Sequence, residues 1–154
     1  MAASAMDGYA LTQVEYGVRS DKATAAIPQS TTGTLFTVAG GRVIIKALIG
    51  EVTTIIQAQA TTMKLVSTPT VGTAVDLCAT ADLTGLEVGG RVSLPAAVGS
   101  ALTKHNAGAL TLADFAGGLL VPAGAISALT VASSTGSMKW TCWWVPFDQG
   151  ATLA

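Results

Sequence analysis

From Thr34 onward, apolar positions come in short runs cut by glycine, proline, asparagine and aspartate. Leu35-Phe36-Thr37-Val38 leads into Gly40-Gly41, a strand followed by a turn signal. Arg42 to Ile49 alternates, putting Val43, Ile45, Ala47 and Ile49 on one face and Lys46 on the other. Gly50 interrupts that run and predicts a bulge or a turn. Val52 to Ile56 and Met63 to Val66 flank Gln57-Ala58-Gln59-Ala60, and Val75, Leu77 and Ala79 alternate with Asp76 and Cys78. Asp82-Leu83-Thr84-Gly85 and Gly89-Gly90 read as turns, the second leading into Arg91 to Leu94. Leu102 and the run from Leu110 to Leu112 flank a loop tip, Lys104-His105-Asn106-Ala107-Gly108. Ile126 to Ala132 and Met138 to Val145 close the series.

Short strands rich in Val, Ile and Thr, about ten residues apart, predict an all-β fold, a β-sandwich or jelly roll. Val43, Ile45, Leu77 and Val131 are expected inside it. No segment keeps apolar residues at i, i+3, i+4 and i+7 between caps, so helix is expected only as a short turn near Leu112 to Phe115. No internal repeat is visible, which disfavours a propeller or a solenoid. Residues 1–33 differ from the rest. They show neither period, are rich in Ala, Ser and Thr, and end in the breaker-rich run Ala26-Ile27-Pro28-Gln29-Ser30-Thr31-Thr32-Gly33. Yet Tyr9, Leu11, Val14, Tyr16, Val18 and Ile27 are apolar enough to seek a surface. The division expected is therefore an extended N-terminal arm over 1–33 and a β-sandwich domain over 34–154.

Composition sharpens this picture. Hydrophobic residues make up 50% of the 154 positions, an ordinary share, but charged residues only 11%, where about 25% is usual. Ala, Thr, Gly and Ser fill the gap, and mean hydropathy is +0.55. Such a chain is not disordered, because disorder needs low hydrophobicity and high net charge. A net charge of -1 with no basic stripe argues against nucleic acid as a partner. The uncharged stretch from Phe115 to Met138 is long enough to span a bilayer, but its glycines, Pro122 and hydroxyl residues suit two buried strands with turns better. Met1 to Tyr9 lacks the basic and apolar regions of a signal peptide. Cys78 and Cys142 sit in apolar strand-like runs and read as buried free thiols rather than a pair.

Candidate chemistry is sparse. His105 is the single histidine, so no two-histidine metal site forms within one chain, and its loop position suits an exposed turn residue. No Gly-x-Ser-x-Gly elbow and no phosphate-cradling glycine pattern occur. Asp76, Asp82, Glu87 and Asp114 carry carboxylates, but nothing marks two of them as a hydrolytic pair. These readings give a protein that is not an enzyme, with no catalytic residue, cofactor or metal. The unusual feature is Trp140-Thr141-Cys142-Trp143-Trp144-Val145-Pro146-Phe147. As a strand it puts Trp140, Cys142 and Trp144 on one side and Thr141, Trp143 and Val145 on the other, so both faces are apolar. Either it is a stacking platform for sugars or bases, or it is buried by the core on one face and a neighbouring subunit on the other.

Leu35-Phe36-Thr37-Val38-Ala39-Gly40-Gly41, Gly50-Glu51-Val52-Thr53-Thr54, Asp76-Leu77-Cys78-Ala79 and Lys139-Trp140-Thr141-Cys142-Trp143-Trp144-Val145-Pro146 together resemble small structural proteins of tailed-bacteriophage virions. The likeness runs from about Tyr9 to Val145 and lies in strand and turn residues rather than in a catalytic signature. It implies a virion component, and the role expected is a capsid decoration (cement) protein on the capsid exterior. Its expected partners are the major capsid protein and itself, as a homo-oligomer, most simply a trimer. Tyr9, Val14, Tyr16, Arg19 and Trp143 are the expected partner contacts, the tyrosines as anchors that bury area while keeping a hydroxyl. Two alternatives stay open: a tail or fibre-base component, and a carbohydrate-binding module using the Trp140 to Trp144 strand.

Overall fold

A computed structural model describes residues 8–110 and 118–154; the helical turn expected near Leu112 to Phe115 lies outside the described residues. The chain folds into two antiparallel sheets packed face to face, an all-β sandwich. The first sheet holds β1 (Val18–Ala26), β3 (Val43–Thr54), β7 (Arg91–Ser93), β8 (Thr103–His105), β9 (Leu119–Val121) and β11 (Ser137–Pro146). Its order is β1-β11-β3-β7-β8, with β9 also on β3. The second holds β2 (Thr32–Ala39), β4 (Thr62–Pro69), β5 (Val75–Asp76), β6 (Ala81–Asp82), β10 (Gly124–Thr130) and β12 (Thr152–Leu153). Its order is β12-β2-β10-β4-β5, with β6 also on β4. From β1 to β4, and again from β9 to β12, each strand lies in the opposite sheet from the one before, so sequence neighbours face each other across the core.

That core is built from the inward positions of both sheets. Val43, Ile45, Leu48 and Val52 of β3 and Met138, Trp140, Cys142 and Trp144 of β11 meet Phe36, Val38, Met63, Leu65, Ile126 and Ala128 of the second sheet. Fully burying one such aliphatic or aromatic side chain stabilises by about 1.5–3 kcal/mol. Val43, Ile45 and Leu77 lie inside as expected; Val131 does not, being 65% exposed just beyond the end of β10.

The alternation expected along β3 also breaks, and the register shows why. Trp143 pairs with Ala47 but Trp144 with Ile45, so Lys46 is an extra residue opposite β11. This bulge reverses the phase of the strand: Leu48, Gly50 and Val52 point inward after it, and Ile49 faces outward. The strand then runs unbroken through Gly50, where a turn or bulge was expected. Gly50 is there for packing instead. A Cβ on it would lie 2.8–2.9 Å from the Trp140 ring and the Met138 methyl, so its missing side chain is the slot the indole fills.

The larger correction concerns the expected arm over 1–33. Gly8–Tyr16 is a helix, α1, and Val18–Ala26 is no arm but the edge strand of the first sheet, paired antiparallel with β11 from Val18↔Trp144 to Ala26↔Ser137. Ile27 is buried in the core, and Thr32 and Gly33 already belong to β2. β1 carries no alternation because its side chains are exposed on both faces except half-buried Ser20. Backbone pairing holds it, and hydropathy does not record backbone pairing. Ser20 also closes this side of the sandwich, its Oγ accepting from Trp144 Nε1 at 3.0 Å and donating to the Leu153 carbonyl of β12 at 3.1 Å. A bulge between Lys22 and Ala25 and the charge of Lys22 blunt the free edge against strand addition.

Both cysteines are free and buried. Burial pushes the Cys142 thiol up to about 12 and raises that of Cys78 as well. Thiolate is the reactive form, so neither is expected to react with iodoacetamide at pH 8 in the folded protein. Intact-mass spectrometry should show no adduct in native buffer and two after denaturation.

The connection from β2 to β3 is tied by charge to the segment between β11 and β12. Asp148 accepts from the Arg42 backbone N–H, Nε and Nη2, each at 2.8 Å, while the guanidinium lies 4.5 Å over the Phe147 ring. The Arg42 side chain is the main reason the Asp148 carboxyl sits at about 2, below its ordinary 3.8. Thr84 lowers Asp82 in the same direction. A carboxyl with a depressed folded pKa stabilises the fold above its ordinary value and loses that contribution as protons return. Thermal stability is therefore expected to be flat above about pH 5 and to fall from about pH 4 toward 2. Asp148→Asn should melt lower at pH 6 and show a smaller acid dependence in the same scans.

Candidate functional site

The outward face of the first sheet gathers most of the residues that the sequence marks for contact. Gly17 makes this possible. Its N–H bonds the Gln13 carbonyl at 2.8 Å and caps α1, and its φ of +87° turns the chain straight into β1. A Cβ there would lie 2.2 Å from the Trp144 carbonyl oxygen, so only glycine brings the helix this close to β11. The helix then lies against Trp143. Tyr9 and Tyr16 meet the indole with ring centroids 6.5 Å and 6.1 Å away, tilted by 53° and 55°. Such tilted pairs add about 0.5–1.5 kcal/mol each beyond the area they bury.

α1 has no buried residue. Tyr9 is 55% exposed, Leu11 56% and Val14 73%. A nine-residue helix is marginal by itself, and the aromatic contacts and the Gly17 cap help hold it on the sheet. Of the five expected contact residues, Tyr9, Tyr16 and Trp143 thus meet each other within one chain, while Val14 stands in solvent. Arg19 sits beside them in β1, its Nε 3.0 Å from Asp21.

Next to Trp143 the sheet face dips into an open depression of about 390 Å³. Arg19 and Trp143 line one side, Ile49 and Thr141 lie on the sheet itself, and Gly108 and Leu110 belong to the loop after β8. Glu51 faces two cations, Lys139 at 3.2 Å and Arg91 at 3.4 Å, and Arg91 also donates to the Gly108 carbonyl. Partial burial pushes the Glu51 carboxyl up, but Lys139 and Arg91 outweigh it and leave it below its ordinary value. The hydroxyl of Thr141 donates to Asp21 at 2.7 Å and is the main cause of that carboxyl's lowered pKa, ahead of Arg19.

Trp140 and Trp144 point the other way and are buried, so the Trp140 to Trp144 strand is not a three-ring platform; Trp143 is its outward ring. His105 is exposed at the end of β8. Among the described residues, no three His, Cys, Asp or Glu side chains group as metal ligands, and no helix is long and apolar enough to cross a membrane. The sequence did not announce Glu51, Arg91 and Lys139, which come together from three strands; nothing in their spacing marks them. No family model, no curated protein and no solved structure matches the chain.

Proposed function

We propose that this chain is a virion structural protein of the capsid-decoration type, which seats on a shell of major capsid protein through the N-terminal helix and the sheet face beneath it. The observation that carries this reading is α1 itself. A helix that buries none of its residues contributes little to the sandwich, yet it holds Leu11 and Val14 out from a fixed aromatic mount. Apolar side chains displayed in this way suit a second surface. Self-association is part of the proposal. A cyclic trimer repeats one heterologous contact and therefore needs two different surfaces on each protomer. Besides the α1 face, the sandwich has a groove between β9 of the first sheet and β5 of the second, where Val75, Val98 and Leu120 are exposed.

The test removes residues 1–16. The truncated chain is expected to keep the far-ultraviolet circular dichroism of a β-protein, while its occupancy on purified phage shells and the heat resistance of those shells fall. Truncated protein that decorates shells as densely as the full chain would overturn the proposal. A full-length chain found at a few copies per virion would point to the tail or fibre base instead. Sedimentation should give a species three times the 15.4 kDa chain mass, and a monomer at micromolar concentration would count against the trimer.

A further inference from the structure

The depression beside Trp143 has a polar lining that docking of an apolar helix does not use. We infer that it is a binding site for an acidic saccharide, a short run of uronate rings lying across the sheet with one ring against Trp143. The size is suitable, since about 390 Å³ falls in the range of small-ligand sites. The donors and acceptors decide the ligand class. Among the described residues, Arg19, Arg91 and Lys139 face two carboxylates, Asp21 and Glu51, which leaves one surplus positive charge there on a chain whose net charge is -1. An anionic group is therefore drawn there.

A bare anion or an acidic peptide side chain satisfies only half the lining. It has no proton to donate, and it meets Glu51 as a like charge. A uronate ring offers both halves: a carboxylate for Lys139 and Arg91, and hydroxyls that donate to Glu51. Its C–H face also suits the negative face of an indole. Tyr9 and Tyr16, neither of which lines the depression, brace that indole at a set angle. This inference concerns the isolated chain and stands whether or not the protein decorates a capsid.

The test titrates the full chain with uronate trimers (galacturonate, glucuronate and mannuronate), with neutral cellotriose, and with triglutamate, by calorimetry and indole emission. At least one uronate trimer is expected to bind saturably and to weaken with added salt. Cellotriose and triglutamate should show no saturation over the same range. Lys139→Gln leaves the Arg91–Glu51 pair in place and should weaken uronate binding roughly tenfold with no change in melting temperature. Trp143→Ala should abolish binding, and if that variant fails to fold, Lys139→Gln still decides. Triglutamate binding as tightly as the uronates would make the site a dock for acidic protein segments and overturn the inference. So would equal binding of cellotriose, an unchanged affinity in Lys139→Gln, or no binding by any uronate trimer.

Discussion

Trp140→Ala is expected to destabilise the sandwich by about 3–5 kcal/mol. The indole is 4% exposed and fills the slot over Gly50 between the two sheets. Its neighbours Met138 and Gly50 are anchored in paired strands, so the cavity left by alanine has little freedom to collapse. For a domain of this length the loss corresponds to a drop of roughly 6–20 °C in melting temperature. Domains commonly hold only about 5–15 kcal/mol in total, so the variant should unfold at markedly lower urea. A urea midpoint within experimental error of the parent would mean that the ring contributes far less than its burial implies.

Gly50→Val attacks the same contact from the other side and is expected to cost about 1–3 kcal/mol or more through overpacking. The new Cβ alone would sit 2.8 Å from both the indole and the Met138 methyl, and the branch adds two more carbons. The two substitutions should be strongly coupled, because removing the indole makes room for the valine. In the Trp140→Ala background, Gly50→Val is expected to be close to neutral or stabilising in equilibrium urea melts. Additive losses would show that Gly50 matters for some reason other than the slot.

These two residues also show where hydropathy patterns stop being informative. A glycine within an apolar run reads as a break, because glycine in a strand interior ordinarily weakens it. Here the break is absent: the reason for Gly50 is a ring ninety residues further along, and no local window contains both. The phase of β3 departs from its hydropathy for a related reason. Val43 and Ile45 predict the inner face, but the extra residue at Lys46 exists only against the register of β11, and it turns Ile49 outward to the floor of the depression. Residues 18–26 gave no period because an edge strand exposed on both faces needs none, and its attachment is a ladder of backbone bonds along β11.

The class of fold was legible in the sequence. Period-two runs cut by Gly and Pro make strands, because side chains on a pleated chain alternate between core and solvent. The parity of the tryptophan strand was equally legible, with Trp140, Cys142 and Trp144 inward and Trp143 outward. Everything that depends on which strands are neighbours came from the fold alone. β11 lies between β1 and β3, so α1 is delivered onto Trp143 through Gly17, and Glu51, Arg91 and Lys139 converge beside it. Strand order is set by contacts between residues far apart in sequence, and local alternation carries no record of them.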